Sequence, residues 1–367
     1  MRTLLLRSGS ALLATHDCVG SPRPLLAVLR ARLAQLHGPR EVSTLTLTHD
    51  AMGQGPTHSL RQDVAALAPL VAERSAGCDL VHALDLPSAA TALAARRSTG
   101  VPVVVHDQPA ARESASHARG SRAAWSAVLR AADGVVVPTT QDARAARAAG
   151  VPSGCVTVCA SAALVAGAQC DDPAADPAPS SADAYLLGLS GVPELASVRA
   201  GLVAALDADR SLRIVLAGCA DDGDQDRRRD LVGRAESRGV ADRMDLRDVL
   251  PSVEMLDLVD GSAAVVATRS DPSSALSALV AMHRARPVVG VRSVSAEDVL
   301  VEGVTGRLVD AQDPASLARA LVHTASDPFR RLSWGLAGLD RVSSRYDREV
   351  VMASILQAHE RAVEHAA

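Results

Sequence analysis

Residues 80–106 read LVHALDLPSAATALAARRSTGVPVVVH. LVHAL (80–84) and VPVVVH (101–106) are short apolar runs, and SAATALAARRS (88–98) between them repeats apolar positions at three and four residues. A short run, a helical segment and a second short run make the repeating unit of a parallel sheet covered by helices. Two histidines sit on the runs, His82 inside the first and His106 at the end of the second.

The same alternation extends outward. In the first half, TLLL (3–6), VSTLTL (42–47), GVVVP (134–138) and CVTVC (155–159) read as further strands, and PLLAVLRARLAQL (24–36) as a helix. Residues 166–183, GAQCDDPAADPAPSSADA, concentrate Asp, Pro, Ser and Ala without periodicity, which is linker composition. Beyond it, AYLLGL, LRIVLAG, RMDLRDVL, AAVVAT, PVVGV and GRLV are strands, with VRAGLVAALDA and PASLARALVHTA as helices. REVVMASILQAHERAV (348–363) is one amphipathic helix. The expected organisation is an α/β domain over 1–165, a linker over 166–183, a second α/β domain over 184–345 and a terminal helical segment over 346–367. At 367 residues the chain has the length for two cores, at ~150 residues per domain.

Composition excludes several classes of function. With 38 basic and 42 acidic residues the net charge is −4, too little to gather nucleic acid, so no nucleic-acid partner is expected. Two Trp, two Tyr and one Phe cannot build a base-stacking platform. All the basic side chains are arginine and asparagine is absent too, which rules out Schiff-base and P-loop lysine chemistry. Cys18, Cys78, Cys155, Cys159, Cys170 and Cys219 form no CxxC pair, so neither a disulfide framework nor a zinc site is expected, and free thiols point to a cytoplasmic protein. The start, MRTLLLRSGSALLA, is interrupted by Arg7 and reads as a strand rather than a leader. No run of ~20 apolar residues occurs, so no transmembrane segment is expected and any membrane contact would be peripheral.

Certain strings carry more than their periodicity. GVTGRLVDAQDPASLARAL (303–321) and AMHRARPVVG (281–290) are similar to stretches near the C-terminus of the family 4 glycosyltransferases. VGSPRPLLAVLRARLAQLHGPREVSTLTL (19–47), DLVHALD (79–85), GVPVVVHD (100–107) and RAADGVVVPTTQDARAARAAGVPSGCVTV (130–158) follow that family's order and spacing. The resemblance implies the GT-B fold, two facing Rossmann-like domains with the terminal helix of 346–367 returning toward the first. It also implies transfer of a sugar, with retention, from a nucleotide sugar held mainly by the second domain to an acceptor, here unidentified, held mainly by the first. No metal or other cofactor is expected, since protein donors can carry the leaving diphosphate.

Residue by residue, the resemblance selects His106 and Asp271 as catalytic candidates. His106 matches the histidine that reaches the transferring sugar, and at a strand end it is expected to be a loop-edge imidazole with little core packing. Gly20 and Ser21 match a Gly-Gly turn opening the first helix, where backbone N–H groups can approach phosphate or acceptor oxygens, and are candidates for binding the donor and its phosphates, although Pro22 also suits an ordinary helix start. Gly188, Ser273, Ser274 and Glu297 are candidates for holding the donor and its phosphates. His82 is expected to be structural, and His16 and Asp17 to lie in a solvated loop.

Departures from the family pattern fall mainly in the second half. Its two carboxylates seven residues apart become Asp271 and then Leu279 or Val280. Its GRxxxxKG, whose Arg and Lys hold the diphosphate, becomes GLSGVPELA (188–196), with Leu189 for the arginine and Glu194 for the lysine. A carboxylate ~4 Å from a phosphate charge is repulsive by ~4 kcal/mol at an effective dielectric of 20. A Gly-Gly pair has become Val294-Ser295, and a Pro-Asn-Gly at the domain junction Ala160-Ser161-Ala162. Arg199, Arg269 and Arg292 are candidate replacement phosphate ligands. These losses keep a second reading open, a catalytically inactive scaffold that acts as a binding or partner subunit. An epimerase or phosphorylase of the same fold is weaker, because no lysine exists to hold pyridoxal phosphate.

Overall fold

In a computed structural model that describes residues 1–9, 30–31, 33–34, 42–48, 60–107, 121–160, 185–189, 191–218, 225–248, 250, 252–269 and 273–366, the apolar runs pair as two parallel sheets. The first contains β1 (Thr3–Gly9), β2 (Val42–Thr48), β3 (Leu80–Ala83), β4 (Val103–His106), β5 (Gly134–Val137) and β6 (Val156–Val158), in the order β2-β1-β3-β4-β5-β6. The second contains β7 (Tyr185–Gly188), β8 (Ile214–Ala217), β9 (Met244–Arg247), β10 (Ser262–Ala267), β11 (Val288–Val291) and β12 (Gly306–Val309), in the order β12-β11-β10-β7-β8-β9. The order reverses between β1 and β3 in one sheet and between β7 and β10 in the other. In open parallel sheets, ligand crevices form at the carboxyl ends of such neighbours.

The helices of the first unit are α1 (Leu60–Ser75), α2 (Leu86–Thr99), α3 (Ser121–Ala131) and α4 (Thr140–Ala148). Those that follow are α5 (Ala196–Ala208), α6 (Gln225–Ser237), α7 (Ser252–Gly261), α8 (Ser273–His283), α9 (Val294–Val299), α10 (Pro314–Ser326), α11 (Pro328–Arg345) and α12 (Arg348–Ala366). The opening stretch of sequence shows why these segments start and stop where they do. Asp85 caps α2 by accepting from the Ser88 N–H at 2.9 Å, while the Ser88 hydroxyl accepts from the Asp85 N–H. Gly100, at φ 72°, ends the helix in the left-handed conformation.

The described residues up to Ala160 and those of α12 form one compact unit, and Tyr185 to Asp347 the other. Strand alternation divides the first unit's side chains between two faces. Val81, Val103, Val105, Val135 and Val137 pack with Ala89, Ala92, Leu129 and Trp125. The opposite face, carrying His82, Val104 and His106, is covered by α12, which lies on β4, β5 and β6. Gly134 permits that approach: a Cβ there would stand 3.1 Å from Val104 and 3.5 Å from Ala362.

In the second unit Leu186, Ile214, Leu216, Val266, Val289 and Val291 meet Leu202, Leu206, Leu317 and Leu321 of α5 and α10. Gly306, within the GVTGRLV string, lets β12 close on β11; a Cβ there would lie 2.1 Å from the Val288 carbonyl oxygen. The residues 166–183 lie outside the described residues. No described helix is long and apolar enough to cross a membrane.

Candidate functional site

His106 closes β4, and its neighbours define what it can do. Its ring is fully buried and stacks on His82 of β3, with centroids 5.4 Å apart and planes 9° from parallel. The two residues share a sheet face because His82 pairs with Val104, two residues before His106. His82 Nδ1 in turn lies 2.9 Å from His359 Nε2 on α12, so one ring donates and the other accepts. The expectation of a loop-edge imidazole with little packing is therefore corrected. His106 sits in a histidine layer between sheet and terminal helix because α12 covers the face onto which the strand's alternation directs it.

Electrostatics follow from that burial. Desolvation pushes the His106 imidazole down to about 4. His82 is held well below 6.5, first by burial and then by the neighbouring His359 and His106. His106 is thus a neutral ring at neutral pH, and neither of its nitrogens has a partner among the described residues. A neutral imidazole has one N–H to donate and one nitrogen to accept, so it can bind a hydroxyl or a developing oxyanion without a charge of its own. Buried polar atoms left unpaired are uncommon and call for an explanation, of which a ligand partner is one.

The second sheet presents a different chemistry at the carboxyl ends of β7 and β10. Glu194, on the loop after β7, forms an ion pair with Arg269, which directly follows Thr268 at the end of β10. Arg227, on α6, lies 3.9 Å from the same Glu194 oxygen. Arg199 of α5 fixes the loop: its guanidinium donates to the carbonyls of Pro193 and Glu194 at 2.7 and 2.8 Å and pairs with Asp230 at 2.6 Å. Arg199 is therefore a loop brace and not a spare phosphate ligand. Thr268 Oγ1 and Ser274 Oγ, on either side of the β10 to α8 turn, are buried without a hydrogen-bond partner among the described residues.

The remaining candidates separate clearly. Gly20, Ser21 and Asp271 lie outside the described residues, as do His16, Asp17, Ser161 and Ala162. Ser273 begins α8. Gly188 ends β7, where a Cβ would stand 2.6 Å from Leu216 Cδ2, so close packing on β8 already accounts for a glycine. Leu189 is buried, and Leu279 and Val280 lie wholly within the core, so none of them offers a polar group to a ligand. Glu297, on the short α9, is exposed and paired with Arg292 at 2.8 Å.

Cys78, Cys155 and Cys159 are free thiols; Cys159 is buried, and burial pushes its thiol up to about 12. Among the described residues no group of three or more His, Cys, Asp or Glu is arranged to hold a metal ion. Two participants were not singled out by sequence. His359 carried a weak signal, a polar residue on the buried stripe with Val351, Met352, Ile355, Ala358 and Ala362. Arg227 carried none.

Two parallel α/β units with reversed strand order at β1/β3 and β7/β10 are the architecture of a GT-B glycosyltransferase. The family model described as a glycosyl transferase 4-like domain matches residues 7–160, and that described as glycosyl transferases group 1 matches residues 193–327. The chain belongs to the family 4 glycosyltransferases.

A D-inositol 3-phosphate glycosyltransferase of Corynebacterium diphtheriae is 28% identical over 138 residues, 38% of this chain and 32% of that protein. The match thus spans about a third of the curated relative's length. Among solved structures, a sucrose-phosphate synthase from Thermosynechococcus elongatus superposes with a TM-score of 0.75 at 18% identity, covering 99% of this chain and 100% of the other. Anabaena HepE in complex with UDP and glucose gives 0.69 at 17% identity, covering 97% and 98%. These likenesses establish the fold.

Proposed function

We propose that this protein transfers a glycosyl group from a nucleotide sugar to a small acceptor with retention of configuration, without a metal. The observation that carries this reading is that both halves match glycosyltransferase family models in order, with His106 at a strand end of the first. The second unit binds the donor diphosphate at the β7/β10 crevice and the first unit binds the acceptor. His106, as a neutral donor, hydrogen-bonds a sugar hydroxyl as positive charge develops at the anomeric carbon. Asp271, in the register of the family's first carboxylate, is the second catalytic candidate. Gly20, Ser21, Ser273, Ser274 and Glu297 are the further candidates for holding the donor and its phosphates.

A neutral ring suits this role, because it stabilises the oxocarbenium-like transition state through a hydrogen bond without repelling its charge. The reading is tested by incubating the full chain with UDP- and GDP-sugars and following release of the nucleoside diphosphate. The acceptor panel includes inositol phosphate, the substrate class named for the relatives. Acceptor-dependent release supports transfer, and the anomeric configuration of the product read by NMR tests retention.

A specific observation favours the second reading, an inactive scaffold. Where the family has a lysine for the diphosphate, Glu194 stands ion-paired, and the second carboxylate's position is buried aliphatic core. An inactive scaffold would show neither turnover nor nucleotide-sugar binding.

A further inference from the structure

The cations of the second unit are not simply lost relative to a phosphate-binding wall; they are engaged by an acid of the same chain. We propose that Glu194 is a built-in counter-anion that occupies the cationic wall of Arg269 and Arg227 at the β7/β10 crevice, so that a diphosphate binds there only by displacing it. The inference rests on the donor-binding reading of this unit.

Placement comes first. β7 and β10 are hydrogen-bonded neighbours at the reversal of strand order, and the loops leaving their carboxyl ends border the crevice where such sheets take phosphorylated ligands. Glu194 is on one of those loops and Arg269 on the other. Arg227 reaches the same carboxylate from α6, so a single Glu194 oxygen lies against two guanidinium groups. A carboxylate and a phosphate present the same planar or tripodal oxygens to guanidinium, and they compete for it directly.

Thr268, directly before Arg269, and Ser274, in the first turn of α8, carry buried hydroxyls that have no partner among the described residues. α5 begins two residues after Glu194, and no side-chain cap covers its N-terminus. Hydroxyls, guanidinium groups and an uncapped helix start form a set of donors suited to a diphosphate.

The pair is also built to be reversible. Arg199 holds the Glu194 backbone through two carbonyl hydrogen bonds, so the carboxylate is presented from a fixed loop and moves by side-chain rotation alone. Its side chain is 38% exposed and that of Arg269 20%, so solutes have access to the pair. Half-exposed ion pairs contribute little net stability. A diphosphate brings more charge and more oxygens than one carboxylate, and its binding leaves Glu194 free to swing into solvent.

Calorimetric titration of the full chain with UDP, GDP and inorganic pyrophosphate tests this. Glu194→Gln should bind all three about tenfold more tightly than the unmodified chain, with the gain shrinking as salt rises. Glu194→Gln combined with Arg269→Gln should lose that gain. Glu194→Ala serves as a second variant, with matching thermal melts to confirm the fold.

Unchanged or weaker binding by both Glu194 variants, or no binding by any form, overturns the inference. Turnover of a nucleotide sugar by the unmodified chain without a gain in Glu194→Gln overturns the counter-anion while leaving the transferase reading in place. Tighter pyrophosphate binding in Glu194→Gln with no nucleotide sugar turned over by either form supports the counter-anion and removes the transferase reading.

Discussion

The layer at His106 and the cluster at Arg269 sit at equivalent places, the carboxyl ends of parallel strands, yet they settle their polar groups in opposite ways. In the first unit three histidine rings are buried together, and among the described residues neither nitrogen of His106 has a partner. In the second, Arg269 and Arg227 are largely but not fully buried and engaged with Glu194. The first region excludes ions by desolvation; the second retains them and neutralises them internally. Reactive capacity of the first kind depends on staying neutral, and that of the second on losing a partner. The two regions should therefore respond to different perturbations, the histidine layer to acid and the arginine cluster to salt and competing anions.

Acid gives the largest expected effect. The unfolded chain protonates His106 below about 6.5, whereas the folded chain does so only at about 4, so the unfolded state binds more protons between those values. Stability should be complete above pH 6.5 and fall as pH drops toward 4, by roughly 3 kcal/mol from His106 alone. His82, lowered in the same direction, deepens the fall. Urea denaturation at stepped pH measures it, and a flat profile from 7 to 4 would show that the rings are not buried as a neutral layer.

Next comes His106→Ala, which should lower turnover by ~100-fold with donor affinity little changed, because a donor aimed at developing charge acts chiefly in the transition state. Since the ring is packed and not at a loop edge, the same change should also lower the melting temperature. Wild-type turnover in this variant would remove His106 from the mechanism and reduce the layer to packing.

Gly306→Ala should destabilise by about 1 to 3 kcal/mol, because a Cβ there meets the Val288 carbonyl and not a flexible side chain. Unchanged urea stability would contradict the close β11 to β12 approach. The smallest effect is expected at the exposed Arg292 and Glu297 pair, where Glu297→Gln should change stability by under ~1 kcal/mol. Any larger change would mean that the surface pair has a structural role.

The strands were legible in sequence because each is a short Val- or Leu-rich run between helices of clear period, as with LVHAL and VPVVVH around α2. The position of His106 was legible as a strand end, but its surroundings were not. His359 lies 277 residues from the ring it touches, and no local pattern specifies which face of a sheet a terminal helix covers. The Glu194 to Arg269 contact spans 75 residues and has the same cause. Arg199 read as a candidate ligand because a sequence rich in arginine does not distinguish a guanidinium facing solvent from one bracing a loop. Gly188 was legible as a motif glycine, while the reason for it, a Leu216 side chain 2.6 Å from where a Cβ would stand, appears only once the strands are paired.

Initial-rate measurement of nucleoside diphosphate release asks whether this chain uses a nucleotide sugar. The full chain would be given UDP- and GDP-sugars in turn, with and without the acceptor panel. Acceptor-dependent release is expected with at least one donor, reduced ~100-fold by His106→Ala. Absence of release with every donor, together with no nucleotide-sugar binding by the unmodified chain, would contradict it and leave the scaffold reading in its place.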